Sequence, residues 1–165
     1  MDAVDVTLEQ IEDIFFKTMC QGYVSNAKVE KYDMPGMPGY KCITFRSEDF
    51  VVHDAYCTTP LSNMSSGFTT IWFKDTPVWT MKYGGQYSPD CIPLLKLALR
   101  KTYQQHIFRG CRGPSRCASP DKPQLVYFND VEDESDFAQF AGRESIILTG
   151  VGEAGFHRYF GMALI

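Results

Sequence analysis

The first apolar pattern along the chain has the period of an α-helix. Apolar residues recur at intervals of three and four, namely Leu8, Ile11, Ile14, Phe15 and Met19. Thr7 and Gln10 have the spacing of a capping box, in which each side chain bonds the backbone amide of the other residue. The pattern predicts a helix over residues 7–20 that stops near Gly22.

The next part of the chain has the composition of β-strands. Four segments are rich in aromatic and β-branched residues, at 41–46, 50–57, 67–73 and 77–83. Lys74-Asp75-Thr76 joins the last two and is short enough for a hairpin. A stretch with two prolines and two glycines, 32–40, predicts a loop, and the small polar residues of 58–66 predict a mobile loop.

A second helix and three further strands are predicted after residue 88. Ser88 has the character of an N-cap residue, and Pro89 suits the first turn. A basic loop at 109–116, a solvated acidic turn at 130–136 and strands at 125–128, 140–148 and 156–164 follow. The order is therefore one helix, four strands, one helix and three strands, without βαβ alternation. This order predicts an α+β fold in which two helices pack on a mostly antiparallel sheet of about six or seven strands, as a single domain over 1–165.

Composition and charge narrow the functional classes. The chain of 165 residues is 44% hydrophobic and 22% charged, which is ordinary for one globular core. A net charge of -4 argues against direct nucleic-acid binding. An acidic N-terminus and the lack of a ~20-residue apolar run indicate a cytoplasmic protein without a membrane contact. The six cysteines form no C-x-x-C pair, so we expect reduced thiols, no metal and no cofactor.

Two carboxylates fall on apolar strand faces. The period of two places Asp54 between Val52 and Tyr56, and Glu144 between Gly142 and Ile146. A buried carboxylate needs a partner or a raised pKa. Arg112 lies in the basic loop and offers a guanidinium fork to an acid of the same chain. A structural ion pair, the lining of a pocket and catalysis all remain open for these acids.

The hairpin adds an aromatic face. Trp79, Met81 and Tyr83 share one side of their strand and have the character of core residues. Because Trp and Tyr each carry a polar group, the same residues also suit a mixed polar and apolar pocket. The three histidines have no metal-binding spacing, and the chain has no G-x-S-x-G nucleophile motif.

Several of these pieces occur together and in order. They are Asp54-Ala55-Tyr56, Trp79-Thr80-Met81-Lys82-Tyr83-Gly84-Gly85, Arg112-Gly113-Pro114, Phe140-Ala141-Gly142-Arg143-Glu144-Ser145-Ile146 and Tyr159-Phe160-Gly161. Together they resemble a bacterial family of unassigned function, whose members occur alone or fused behind a helix-turn-helix DNA-binding domain. The resemblance implies a stand-alone copy of a domain that elsewhere occupies the sensor position of a transcriptional regulator.

The leading hypothesis is a sensor-like domain that binds a small molecule. The predicted ligand-binding residues are Asp54, Tyr56, Trp79, Met81, Tyr83, Arg112 and Glu144. Its protein partner would be a second copy of the chain or a regulator. One alternative is a small enzyme in which Glu144 or Asp54 is a general base with a pKa raised by burial. Another is an interaction module that docks a partner on the aromatic hairpin.

Overall fold

The N-terminal helix forms where its pattern predicts. The computed structural model describes residues 5–24 and 29–165, and helix α1 is Leu8–Met19. The capping box is confirmed, because the Gln10 amide bonds the Thr7 hydroxyl and the Thr7 amide bonds Oε1 of Gln10 at 2.9 Å. The chain continues beyond α1 as a π-helical turn, Cys20–Val24, so helical structure passes the predicted stop.

The second helix begins with a tighter turn than the sequence suggests. A 3₁₀ turn at Pro89–Cys91 leads into α2, Ile92–Gln105, and His106 ends the helix in the left-handed conformation. Ser88 occupies the predicted N-cap position, but the predicted capping by its hydroxyl is wrong, since that hydroxyl makes no capping hydrogen bond. That hydroxyl instead contacts the Cys91 thiol at 3.2 Å.

Within the described residues, nine strands form one antiparallel sheet. They are β1 Tyr32–Asp33, β2 Tyr40–Ser47, β3 Phe50–Thr58, β4 Met64–Phe73, β5 Thr76–Tyr87, β6 Arg116–Ala118, β7 Leu125–Val131, β8 Gln139–Leu148 and β9 Gly152–Ala163. Their spatial order is β1-β2-β3-β4-β5-β9-β8-β7-β6. The predicted hairpin at residues 74–76 is confirmed, with Lys74 and Asp75 both at positive φ, as a two-residue primed turn requires.

The α+β class and the antiparallel sheet are confirmed, but the strand count and the element order need correction. Strand β1 lies in the segment predicted as a loop, and β6 begins at the last residue of the predicted basic loop 109–116. Both strands are too short to show an alternating pattern. Strand β4 begins at Met64, so the predicted mobile loop shortens to 59–63. Strand β5 runs on to Tyr87 through Gly84 and Gly85, beyond the predicted end at residue 83.

The helices cover one face of the sheet and form the apolar core with it. Phe15 of α1 lies 5.2 Å from the Trp79 ring of β5 and 6.1 Å from the Tyr103 ring of α2, measured between centroids. Alternate residues of β4 are buried on this face, beginning with Gly67. The described residues contain no helix of the length and apolarity that a membrane span requires. All six cysteines are free thiols.

Candidate functional site

A row of polar residues crosses the helix-covered face beside the apolar core. Antiparallel pairing aligns Ser65 of β4, Gly85 of β5, His157 of β9, Glu144 of β8 and Asn129 of β7. Directly paired residues of neighbouring strands present their side chains on the same face of a sheet. The sheet register therefore brings together side chains that lie far apart in the sequence.

Glu144 is the centre of this row. It is fully buried, and its Oε1 lies 2.5 Å from Nη2 of Arg112. The Tyr127 hydroxyl donates to Oε2 at 2.6 Å. The prediction that an arginine of the 109–116 loop pairs with a buried acid is thus confirmed for Arg112 and Glu144.

The loop that carries Arg112 is held in place by Asn129. Its side-chain amide donates to the carbonyl oxygens of Arg109 at 2.9 Å and Gly113 at 2.7 Å. The Asn129 oxygen in turn accepts a hydrogen bond from the Tyr159 hydroxyl at 2.6 Å. The guanidinium is therefore positioned by backbone contacts on both sides of Arg112.

The electrostatics of the pair fix its charge state. Burial alone would raise the pKa of Glu144, but the Arg112 guanidinium and the His157 side chain outweigh burial and lower this pKa to about 2. The expectation that burial would raise the pKa of Glu144 to make a general base is wrong. Burial and the Glu144 charge raise the pKa of Tyr127, so its hydroxyl keeps its proton and donates it to the carboxylate.

Asp54 forms a second polar centre next to the first. Its Oδ1 accepts hydrogen bonds from the Thr69 hydroxyl at 2.9 Å and the Tyr83 hydroxyl at 3.0 Å. The guanidinium carbon of Arg112 lies 5.4 Å from the centroid of the Tyr83 ring, in cation–π range. Tyr83 and Arg112 thus connect the two buried carboxylates.

A small cavity lies between these groups and the helices. Four of the predicted ligand-binding residues line it, namely Asp54, Met81, Tyr83 and Arg112. Its volume of about 10 Å³ is the size that one water molecule needs. Glu144 reaches this cluster through its ion pair with Arg112.

The two other predicted residues lie apart from the polar cluster. Trp79 is buried in the apolar core, stacked on Phe137 at 5.0 Å between centroids, and its Nε1 donates to the Phe137 carbonyl at 3.1 Å. The Tyr56 hydroxyl accepts a hydrogen bond from Nζ of Lys31 at 2.8 Å. Burial of Trp79 and Met81 also withdraws both side chains from a partner that would dock on the hairpin.

Glycines under aromatic rings make room for the cluster. A Cβ on Gly67 would lie 2.5 Å from the Tyr83 ring, and one on Gly113 would lie 2.6 Å from the Tyr127 hydroxyl. A Cβ on Gly155 would likewise collide with the Tyr87 ring. These tyrosines therefore lie flat against the backbone, and the hydroxyls of Tyr83 and Tyr127 reach Asp54 and Glu144, respectively.

The predicted ligand-binding residues do not include Ser65, Tyr87, Tyr127, Asn129 or His157. Ser65 lies in the segment that the sequence predicts as a loop, and Tyr87 lies four residues beyond the predicted end of its strand. A period-two continuation of Tyr83 through Gly85 to Tyr87 would have found the latter. His157 shares its strand face with Tyr159 and Gly161, a signal that the predicted strand 156–164 already contained.

Three buried donors near Glu144 make no well-directed hydrogen bond to any residue that the structure describes. They are Tyr87 Oη, Arg112 Nε and His157 Nδ1, hereafter the donor cluster. Nδ1 of His157 lies 3.4 Å from Oε1 of Glu144, and burial followed by the Glu144 charge raises the pKa of Tyr87. Buried polar atoms of this kind are rare in folded proteins and mark sites of strain or function.

One comparison with known proteins finds a family for the part of the chain that carries this cluster. A family model described as Domain of unknown function (DUF5680) matches residues 54–161, about two-thirds of the chain. The chain belongs to this family. The DUF5680 match begins at Asp54 and ends at Gly161, so it contains both carboxylates, Arg112 and the whole donor cluster. Helix α1 lies outside the DUF5680 match. No curated protein and no solved structure is detectably similar to the chain.

Proposed function

We propose that the chain is a sensor-like domain that binds a small, oxygen-rich molecule at the donor cluster. The observation that carries the proposal is the presence of Tyr87 Oη, Arg112 Nε and His157 Nδ1 around one buried carboxylate. Leaving a buried donor unpaired costs about 1–3 kcal/mol. A ligand that accepts these hydrogen bonds recovers this cost, which gives the site a preference for such a ligand.

The chemistry of the donor cluster indicates the class of ligand. The Arg112 guanidinium can only donate towards a ligand, and Tyr87 keeps a proton that it can donate, since the pKa of each is raised. Burial lowers the pKa of His157, so the ring is neutral at pH 7 and offers one N–H. Carbonyl, carboxylate or hydroxyl oxygens of a small metabolite match such donors.

The size of the cavity supports a sensing role. Space for about one water molecule beside Tyr83 and Arg112 is too small for a metabolite. Binding must therefore move at least one of these two side chains. Tyr83 belongs to β5 and Arg112 to the loop before β6, so the movement would change a surface that a protein partner could contact. A change of conformation that is coupled to binding is what a sensor needs.

The setting of the domain is part of the same proposal. The family resemblance implies a bacterial cytoplasmic protein that is related to domains fused behind helix-turn-helix modules. We propose that the ligand signal passes to a regulator or to a second copy of the chain.

A thermal-shift screen against small oxygen-rich metabolites tests the proposal. A ligand at 100 times its dissociation constant adds about 2.7 kcal/mol, which raises the Tm by roughly 5–10 °C in a chain of this size. In Tyr87→Phe the free protein should keep or raise its Tm, because an unpaired buried hydroxyl is removed. The ligand-induced shift should shrink in this variant.

Tyr56→Phe is the matched control, because the Tyr56 hydroxyl bonds Lys31 outside the cluster. It should leave the ligand-induced shift intact. A screen with no shift in a folded sample would overturn the proposal, as would a ligand whose effect survives Tyr87→Phe and disappears in Tyr56→Phe.

A further inference from the structure

Ser65, His157 and Glu144 form a connected chain at one end of the polar row. The Ser65 hydroxyl lies 3.1 Å from Nε2 of His157. On the other side of the ring, Nδ1 lies 3.4 Å from Oε1 of Glu144. A hydroxyl, an imidazole and a buried carboxylate in this order are the components of an activated nucleophile.

The sheet register explains how the three side chains meet. Gly85 of β5 pairs with Ser65 on one side and with His157 on the other. Because Gly85 carries no side chain, the imidazole of β9 reaches across β5 to the hydroxyl of β4. The Tyr87 ring packs edge-on against the imidazole at 4.7 Å between centroids, which restricts the orientation of the ring.

The protonation states suit the transfer of a proton from Ser65. Glu144 is ionised at neutral pH, and burial lowers the pKa of His157 so that the ring is neutral. With the N–H of Nδ1 directed to the carboxylate, the lone pair of Nε2 faces the Ser65 hydroxyl. The Nδ1 contact is longer than a formed hydrogen bond, and such contacts often shorten when substrate binds.

Ser65 is also within reach of a substrate. Glu144 and His157 are buried, whereas Ser65 is partly exposed and follows the fully exposed loop 59–63. The polar row thus runs from a dry interior to a hydroxyl at the surface. This gradient of exposure is what a nucleophile with a protected base requires.

We propose that Ser65 is a catalytic nucleophile, with His157 as its general base and Glu144 as the carboxylate that orients His157, and that the substrate is a small carboxylic ester. This goes beyond binding but rests on the proposed function, because the oxygen atoms of an ester can accept hydrogen bonds from Tyr87 Oη and Arg112 Nε of the donor cluster, while the N–H of His157 Nδ1 stays with Glu144. Arg112 and Tyr127 act as positioning residues that hold Glu144.

The reaction is a transfer of the acyl group to water in two steps. Oγ of Ser65 bonds to the ester carbonyl carbon while its proton passes to Nε2 of His157. The carbon–oxygen bond to the alcohol breaks, and the alcohol leaves with that proton. Water then bonds to the acyl carbon and gives a proton to His157. The bond to Ser65 breaks, Ser65 recovers the proton, and the carboxylic acid leaves.

Labelling with a fluorophosphonate probe tests the nucleophile directly. The purified chain should gain a single adduct, mapped to Ser65 by peptide mass spectrometry, and Ser65→Ala should gain none. Removal of the base in His157→Gln should slow labelling by about 100-fold or more. Circular dichroism and Tm show which variants are folded. If His157→Gln does not fold, the comparison of Ser65→Ala with the unmodified chain decides the test.

Ser66→Ala is the matched control, since the neighbouring hydroxyl lies on the opposite face and contacts the Tyr83 carbonyl at 3.5 Å. Its labelling should equal that of the unmodified chain. No adduct on the folded chain, or an adduct that persists in Ser65→Ala, overturns the triad. A metabolite found in the thermal screen without labelling of Ser65 also overturns the triad and leaves the proposed function standing. Labelling of Ser65 in a chain whose Tm no metabolite raises would overturn the proposed function and leave the triad standing.

Discussion

At the scale of single residues, two ion pairs of equal length differ only in their surroundings. Arg112–Glu144 and Arg143–Glu153 both have 2.5 Å between nitrogen and oxygen, but the first is buried and the second is more than one-third exposed on each side. Water screens the exposed pair and does not reach the buried one. The same contact therefore has a structural consequence only in the interior.

We expect Arg112→Met to lower the free energy of unfolding by about 3–5 kcal/mol, because it leaves the Glu144 carboxylate buried without its cation. Arg143→Met is the control and should cost less than about 1 kcal/mol. Urea unfolding followed by fluorescence measures both. Equal losses of unfolding free energy in the two variants would show that the buried Arg112–Glu144 pair stabilises the fold no more than the exposed pair does.

The titration of His157 makes stability depend on pH in a definite direction. Burial, aided by Arg112 and opposed by Glu144, lowers the pKa of His157 in the folded chain. The unfolded chain takes up a proton near pH 6.5, so the stabilisation is complete above that pH and is lost as the pH falls below it. Glu144, with a pKa of about 2, stays ionised throughout this range.

Unfolding free energies between about pH 7.5 and about pH 5 measure this effect. We expect a decline in the unmodified chain that is shallower in His157→Gln. The difference between the two curves isolates His157 from the other groups that titrate in this range. Parallel curves would show that His157 is not held neutral in the folded chain.

The sequence predicts the buried acids of this site but not their partners, because the partners come from other strands. Period-two alternation is local, so it identified Asp54 and Glu144 as buried acids from their immediate neighbours. The partners of Glu144 come from β7, β9 and the loop before β6, which alternation in β8 cannot report. Ser65 and His157 meet only through Gly85 on a third strand, and no spacing in the sequence encodes that contact.

At the scale of elements, glycine and tyrosine alternate across neighbouring strands. Gly67 of β4 pairs with Tyr83 of β5, and Gly142 of β8 pairs with Tyr159 of β9. In both pairs the ring occupies the space that a Cβ would take. The tyrosine rings thus lie flat over the glycines of the neighbouring strands. A larger residue in place of each glycine would push the ring away from the sheet and towards the helices.

Substitution at Gly67 tests this arrangement. Gly67→Ala should destabilise the chain by about 1–3 kcal/mol, because the new methyl group overlaps the Tyr83 ring. In a Tyr83→Ala background the same change should cost much less, since the ring is gone. A double-mutant cycle in urea measures this coupling, and purely additive losses would contradict it.

The elements also show which strand signals are reliable. Each strand of seven or more residues overlaps a predicted strand, because several alternating positions agree. The bounds of β2, β3 and β8 match within one residue, whereas β4, β5, β7 and β9 each run three or four residues beyond the predicted bounds. The two-residue β1 and three-residue β6 offer no such agreement, and they are strands only because β2 and β7 supply their hydrogen bonds. Tertiary pairing, rather than local preference, decides these short elements.

At the scale of the whole molecule, the pairing of β5 with β9 joins two local hairpin sheets. The β1–β5 meander and the β6–β9 group are separated in the sequence by α2, and β9 returns to lie against β5. The element order predicts the α+β class, but this closing pair joins residues about 80 positions apart. A sequence pattern cannot indicate it, although it brings Ser65 and Glu144 together.

Hydrogen exchange tests the central position of this pairing. We expect the amides of β5, β9 and β8 to exchange slowest, because they lie in the middle of the sheet under the helices, and those of β1 and β6 to exchange fastest. Mass spectrometry of proteolytic peptides resolves these segments. Faster exchange in β5 or β9 than in β1 would contradict the strand order.

The short outer strands have a consequence for the behaviour of the chain in a crowded solution. An open sheet ends in unpaired amide and carbonyl groups that can recruit further chains and begin aggregation. Here the outermost strands offer two and three residues, β1 carries the Lys41–Asp33 ion pair, and Arg116 adds a charge to β6. Both edges of this broad sheet therefore offer few unpaired backbone groups on which a strand of another chain could add.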